Sequence, residues 1–159
     1  MYSSDLPRAK KTCDLILEQM NVDVTSIIMT DLLRELNFGV REALPRGLSV
    51  DEAKQIISKR DNLAIETIID SSESNKSASK RVVRFLDLVA NDTDGASVKK
   101  ILVLSHGAFL RNLLNKFVEL PNKVEKLANC SITHLQLQID PSAPPSFQTV
   151  YSINSKSHL

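Results

Sequence analysis

Cysteine, aromatics and any excess of charge of one sign are all scarce in this sequence: 159 residues hold two cysteines, no tryptophan, and an aromatic fraction of 4%. Cys13 and Cys130 are too few and too far apart to found a disulfide framework or a zinc site, which points to a reducing compartment, the cytoplasm. The five phenylalanines and two tyrosines are scattered, so the stacking platforms of a nucleic-acid binder are missing. Twenty Lys and Arg balance nineteen Asp and Glu to a formal net charge of +1. The longest basic cluster is Arg8, Lys10 and Lys11, and no nucleic-acid partner is expected. No apolar run approaches the roughly 20 residues of a membrane-spanning helix, and Met-Tyr-Ser-Ser-Asp is not a signal-peptide pattern. No membrane association is expected either.

What is present is ordinary for a soluble globular chain, with 42% hydrophobic and 25% charged residues. That is enough for one domain with a real core. We expect it over residues 1–153, with a polar, frayed tail at 154–159. Ser4 or Asp5 can cap a helix that has Pro7 in its first turn and Ala9, Cys13, Ile16 and Met20 on one face. Ser26–Met29 is β-prone, and Phe38-Gly39 breaks the chain. Arg41–Leu48, with Pro45 and Gly47, reads as loop. Ser49 and Glu52 have capping-box spacing ahead of Ala53, Ile56 and Ile57. Ser71–Ser79 is a loop or the start of a helix. From Lys80, the residues Val82, Val83, Leu86 and Val89 recur at helical spacing. Ile101–Leu104 is a continuous aliphatic run, the pattern of a strand buried on both faces. Phe109, Leu110, Leu113, Leu114 and Phe117 follow as a helix. Leu135, Leu137 and Ile139 alternate with glutamines as a half-exposed strand, Pro141–Pro145 turns, and Phe147–Ile153 can pair back. No internal repeat is visible. Alternating strands and helices predict a three-layer α/β sandwich.

Three positions carry possible chemistry. His106 stands where the aliphatic strand ends, and Gly107 lets the chain turn into a helix. Ligands of α/β sheets bind beyond such strand ends, where the imidazole and neighbouring amides can meet an anion. A histidine that merely closes a turn is an equal alternative on spacing alone. Arg8 puts a cation against the positive end of a helix dipole, a cost of about a few tenths of a kcal/mol that a bound anion removes; a solvated arginine is the plainer reading. Glu42 lies on a loop, where a nearby phosphate would raise its pKa and suit it to general-acid work. Taken singly it reads as an ordinary surface carboxylate. Glu73 can cap or buttress the helix after it, though solvation is the simpler account. His134 and His158 have no partners at ligand spacing, so no metal or other cofactor is expected.

In order, four stretches resemble the histidine phosphatase superfamily, the phosphoglycerate mutase-like fold. Ser3-Ser4-Asp5-Leu6-Pro7-Arg8-Ala9-Lys10-Lys11-Thr12 resembles its Ser-Ser-Asp-Leu-x-Arg-Ala-x-x-Thr motif. Leu33 to Glu42 resembles Leu-x-Glu-x-x-Phe-Gly-x-x-Glu. Val103 to Arg111 resembles Val-Ser-His-Gly-x-x-Arg. Asn129-Cys130-Ser131-Ile132-Thr133 resembles a strand-leading Asn-x-Ser-Ile-Thr further on. The resemblance implies a mostly parallel sheet in a three-layer α/β/α sandwich. It also implies that Arg8 binds phosphate, with His106 and Gly107, and that Glu42 donates a proton to the leaving oxygen. His106 would be the second histidine, contacting the transferred phosphoryl group. Glu73 falls where a Gly-Glu-Ser turn is usual, although Ser72 replaces the glycine, and Ala43 replaces the glycine after the acid.

The likeness is nearest to the animal fructose-2,6-bisphosphatase of the TIGAR type. It implies a small phosphorylated substrate and hydrolysis of phosphomonoesters such as sugar phosphates. The family's nucleophile sits in an Arg-His-Gly triplet, and none occurs here. The expectation is therefore a domain lacking its N-terminal strand and helix, with exposed sheet edges, and without a phosphohistidine intermediate of its own. A non-catalytic pseudophosphatase that binds phosphorylated ligands or a partner protein is the alternative.

Overall fold

The computed structural model describes residues 1–20, 27–39, 47–49, 51–52, 55–56, 59, 72–92, 100–140 and 143–158. Its elements run β1 (Tyr2–Ser4), α1 (Pro7–Met20), β2 (Ile28–Thr30), a 3-10 turn at Asp31–Leu33, α2 (Asn75–Asn91), β3 (Val103–Leu104), α3 (Gly107–Phe117), β4 (Ile132–Asp140) and β5 (Ala143–Ser155). The chain divides into two compact units, residues 1–35 with 78–159, and residues 36–77.

In the first unit, β1 is the middle strand of a three-stranded parallel sheet ordered β2-β1-β3. Tyr2 pairs with Ile28 and Val103, and Ser3 with Met29 and Leu104. This short polar strand sits where the sequence suggests only the approach to a helix. Side chains alternate across a strand, so Tyr2 and Ser4 share one face and Ser3 takes the other. Tyr2 meets Phe85 of α2 edge-on, with ring centroids 5.5 Å apart, while the Ser3 hydroxyl interacts with the Cys13 thiol of α1. The two helices therefore cover opposite faces, which is the α/β layering expected.

Burial refines the sequence periodicity. In α1 the buried stripe is Ala9, Cys13 and Leu17, and Met20 is exposed. Helix α2 starts at Asn75, inside the Ser/Asn/Lys-rich stretch, and buries Val82, Phe85, Leu86 and Val89 while Val83 faces out. In α3, Phe109, Leu113 and Leu114 are buried. The aliphatic run 101–104 departs from expectation. Only Val103 and Leu104 are in register with β1, at an outer strand of this sheet among the described residues; Leu102 O still accepts from Tyr2 N at 2.9 Å, and Ile101 and Leu102 are exposed. Tyr2 donates its phenol proton to Asp92. Burial first, and the neighbouring carboxylate second, push that phenol well above its ordinary pKa.

The hairpin β4–β5 is antiparallel with several register shifts. Strand β5 reaches from Ala143 to Ser155, so it takes in Ala143 to Pro145, expected in the turn, and Asn154 and Ser155, expected in the tail. Asn154 has a positive φ of 56°. Its side chain accepts from Ala128 N at 2.7 Å and its own N–H donates to Thr133 Oγ1, which holds the strand end in place.

In the second unit, Asn37 Oδ1 accepts from Gly39 N at 2.7 Å, and Gly39 has φ +58°. This is the side-chain turn and left-handed glycine that breaks the chain after Phe38. Ser49 and Glu52 make both bonds of a capping box,.

Leu114, fully buried in α3, is expected to cost about 2–5 kcal/mol on substitution by alanine. Exposed Ile132 is expected to cost within about 0.5 kcal/mol. Equilibrium denaturant unfolding of the two variants checks the contrast.

Candidate functional site

The site is built where two neighbouring parallel strands end. Ser4 closes β1, and His106 follows β3 by two residues. His106 is 8% exposed, and its Nε2 lies 2.8 Å from Ser4 Oγ although 102 residues separate the two. The Ser4 hydroxyl also accepts from Leu6 N at 3.3 Å, so one oxygen ties the start of the β1–α1 turn to the imidazole. His106 is the N-cap residue of α3, in extended backbone conformation, but its side chain makes no capping bond.

Two arginines and two carboxylates set the charge around that ring. His106 is held below its ordinary pKa of 6.5, chiefly by burial, and next by Arg8. Arg81 acts in the same direction, while Glu35 and Asp5 oppose it. Arg8 lies in the first turn of α1, which holds no acidic residue. Its positive charge therefore faces both the helix dipole and His106, and an anion there relieves both repulsions.

A short strap, Thr30 to Glu35, frames these residues. Thr30 Oγ1 caps its 3-10 turn by accepting from Leu32 N. Arg34 makes a two-bond fork onto Asp5, with Nε and one terminal nitrogen 2.7 and 2.6 Å from the carboxylate oxygens. That fork is the main reason Asp5 ionises below its ordinary range. Ser105 Oγ donates to Leu33 O at 2.8 Å. Glu35 accepts from Phe109 N at 3.0 Å and from Ala108 N at 3.3 Å. Arg81 donates to Leu32 O and Arg34 O, each at 2.9 Å, and its guanidinium carbon lies 4.7 Å from the Phe109 ring centre.

Of the sequence-expected residues, Arg8 acts on His106 through its charge, and Gly107, next in the chain, opens α3. The amides expected to cradle an anion are partly taken, because Glu35 already holds those of Ala108 and Phe109. Glu42 lies outside the described residues. Glu73 belongs to the second unit, where its N–H donates to Asn37 O at 2.7 Å. Among the described residues no group of three or more His, Cys, Asp or Glu could hold a metal ion, and no helix is long and apolar enough to cross a membrane. Cys13 is a buried free thiol and Cys130 an exposed one. Sequence reasoning missed Ser4 as the partner of His106, took Arg34 and Glu35 only as part of a motif without a role, and gave Arg81 none. For Arg81 the available signal was a cation four places before Phe85, one turn away and on the same face as that core position,.

A family model of the histidine phosphatase superfamily (branch 1) matches residues 1–143. A probable phosphoglycerate mutase, GpmB, of Citrobacter koseri is 29% identical over 162 aligned positions that take in 100% of this chain and 72% of the relative. Its counterpart in Salmonella arizonae is 30% identical over 141 positions, covering 87% of this chain and 63% of the relative. The match thus spans less than two thirds of that relative's length. Among solved structures, a mycobacterial glucosyl-3-phosphoglycerate phosphatase in complex with inorganic phosphate superposes with a TM-score of 0.65 at 19% identity, over 100% of this chain and 78% of that one. Bacillus stearothermophilus YhfR gives 0.63 at 19% identity, over 99% and 74%. These neighbours share the α/β fold.

Because His106 protonates less readily in the folded protein than its ordinary value of 6.5, the unfolded chain binds that proton more tightly. Its contribution to stability is complete above pH 6.5 and is lost as the pH falls toward the folded value. Denaturant midpoints measured from about pH 8 to about pH 5 are expected to fall, and His106→Gln is expected to flatten that decline. A decline of the same steepness in the variant would assign it to other groups.

Proposed function

The chain belongs to the histidine phosphatase superfamily, and from that premise we propose that the Ser4–His106 site binds the phosphoryl group of small phosphomonoesters. The observation that carries this reading is a buried histidine at a strand end, beside an arginine whose charge disfavours its protonation. A phosphate dianion is what such a pair lacks. Bound between them, it cancels the repulsion, lets His106 take up a proton, and accepts hydrogen bonds from both side chains. In this scheme Arg8 and His106 also stabilise charge on the equatorial oxygens during transfer. A histidine supplied by further sequence attacks phosphorus as Glu42 protonates the leaving alcohol, and water then cleaves the phosphohistidine to release phosphate and free the histidine.

The attacking group is the part this scheme does not find among the 159 residues, since no Arg-His-Gly triplet occurs. The remaining histidines are His134, stacked on Tyr151 in the hairpin, and His158. We therefore assign hydrolysis to a full-length form that supplies the nucleophile from further sequence, and binding without turnover to this chain. The same missing triplet favours a second reading, a non-catalytic protein that binds phosphorylated ligands or a partner protein. An in-frame Arg-His-Gly segment in the upstream coding sequence supports the first reading, and its absence supports the second. For the substrate we favour a cytoplasmic sugar phosphate of the fructose 2,6-bisphosphate kind, on the Arg-Glu-Leu-Asn-Phe-Gly-Val and His-Gly-Ala-Phe-Leu-Arg stretches. The names of the relatives make phosphoglycerates the comparison to run against it.

Calorimetric titration of the chain with inorganic phosphate, fructose 2,6-bisphosphate and 3-phosphoglycerate tests the site. Arg8→Ala and His106→Ala are each expected to weaken binding about tenfold or more, about 1.4 kcal/mol. Equal binding by all three proteins removes the site from consideration. Release of phosphate from para-nitrophenyl phosphate is expected to stay at background. Robust turnover lost in His106→Ala would overturn the account of the nucleophile.

A further inference from the structure

Glu35 and Arg81 take no part in the phosphoryl-binding scheme, yet both are half-buried and held by several bonds. Helix α3 gets no capping bond from the side chain of its own N-cap residue, His106. Glu35 supplies it from the strap instead, with one carboxylate oxygen on each of two consecutive amides, Ala108 N and Phe109 N. That is the preferred placement for a negative charge at a helix start. It also holds the turn that His106 precedes, so a shift of the carboxylate is passed to the backbone that carries the imidazole.

Arg81 secures the other side of the same turn. One of its nitrogens reaches the carbonyls of Asp31, Leu32 and Arg34, and its guanidinium lies over the ring of Phe109. Phe109 is the residue whose amide Glu35 holds. The strap end that carries Glu35 and the helix turn that carries His106 are thus joined through one cation.

Resting on the reading that His106 is the working group of the site, we propose that Glu35 is a positioning residue for His106, anchored by Arg81. It holds the first turn of α3 so that the imidazole stays against Ser4. The charged groups facing the ring come from every side: Arg8 from α1, Arg81 from α2, Asp5 from the β1–α1 turn and Glu35 from the strap. Glu35 is the stronger of the two carboxylates that favour the imidazolium. Asp5 is already engaged by the Arg34 fork. Without Glu35 the two arginines act on His106 with little opposition.

The test is a ligand-free pH titration of the histidine Cε1–H resonances in the 159-residue chain, with those of His134 and His158 as internal references. Glu35→Gln keeps the size of the side chain and removes its charge, and the His106 midpoint is expected to move down. A cap of purely structural value would lower the melting temperature of this variant and leave the midpoint in place, and that result overturns the proposal. Arg81→Lys keeps the charge and loses the planar fork. It is expected to shift the Ala108 and Phe109 amide resonances together with the His106 ring resonance. An unchanged His106 ring resonance in Arg81→Lys removes the anchor, even if Glu35→Gln does not fold. No phosphate enters this experiment, so its failure leaves the binding reading intact, and absent phosphate binding leaves the Glu35 result standing.

Discussion

Arg81 gathers the carbonyls of Asp31, Leu32 and Arg34 onto one guanidinium nitrogen, and Ser105 takes the Leu33 carbonyl that lies between them. Four consecutive peptide oxygens of the strap are thereby satisfied by side chains from α2 and the β3–α3 turn. A main-chain carbonyl removed from water and left unpaired costs about 1–3 kcal/mol, so these donors stabilise the observed path of the strap, most at the part-buried Leu32 and Leu33 carbonyls. Everything at the site hangs from it. Arg34 reaches Asp5, its neighbour Glu35 reaches the start of α3, and Leu33 just before them is fully buried.

The electrostatic arrangement follows from the same frame. Positive groups, Arg8 and Arg81, and negative groups, Asp5 and Glu35, surround one buried imidazole whose burial already disfavours charge. Each carboxylate has its own partner: Asp5 has a guanidinium and Glu35 a pair of helix amides. Arg8, exposed at the start of a helix with no acidic residue in its first turn, is the cation placed to meet something from outside.

Much of this was legible in the sequence, and the reasons differ by element. The helices were readable because long stretches such as Val82 to Val89 repeat their apolar positions many times. The position of His106 was readable because an aliphatic run, a histidine and a glycine mark a strand end. Strand β1 was not, since Tyr-Ser-Ser is three residues long and two of them are polar. It is a strand because Tyr2 is buried against Phe85 and because both flanking strands offer hydrogen bonds. The run Ile101–Leu104 misled in the opposite sense, as four aliphatic residues promised a strand buried on both faces and only two of them are in register with β1. The strap was opaque for a further reason. Its donors sit about 50 and 70 residues away in the chain, and no local spacing rule connects Arg81 or Ser105 with Leu32 or Leu33.

The central place of β1 also has a consequence in time. Its hydrogen bonds to β2 close a short loop, but those to β3 join Tyr2 to Val103 across most of the chain. The entropy of closing such a span must be met before the pairing returns anything. During synthesis, β1 therefore waits with its β3 flank unpaired until the segment around Val103 has left the ribosome. Over that interval Tyr2, whose ring and hydroxyl both find their partners in or just after α2, is kept from water only after about 90 residues have been added. The pairing of β1 with β3 is then the step that brings His106 to Ser4, so the site comes into being together with this sheet rather than ahead of it.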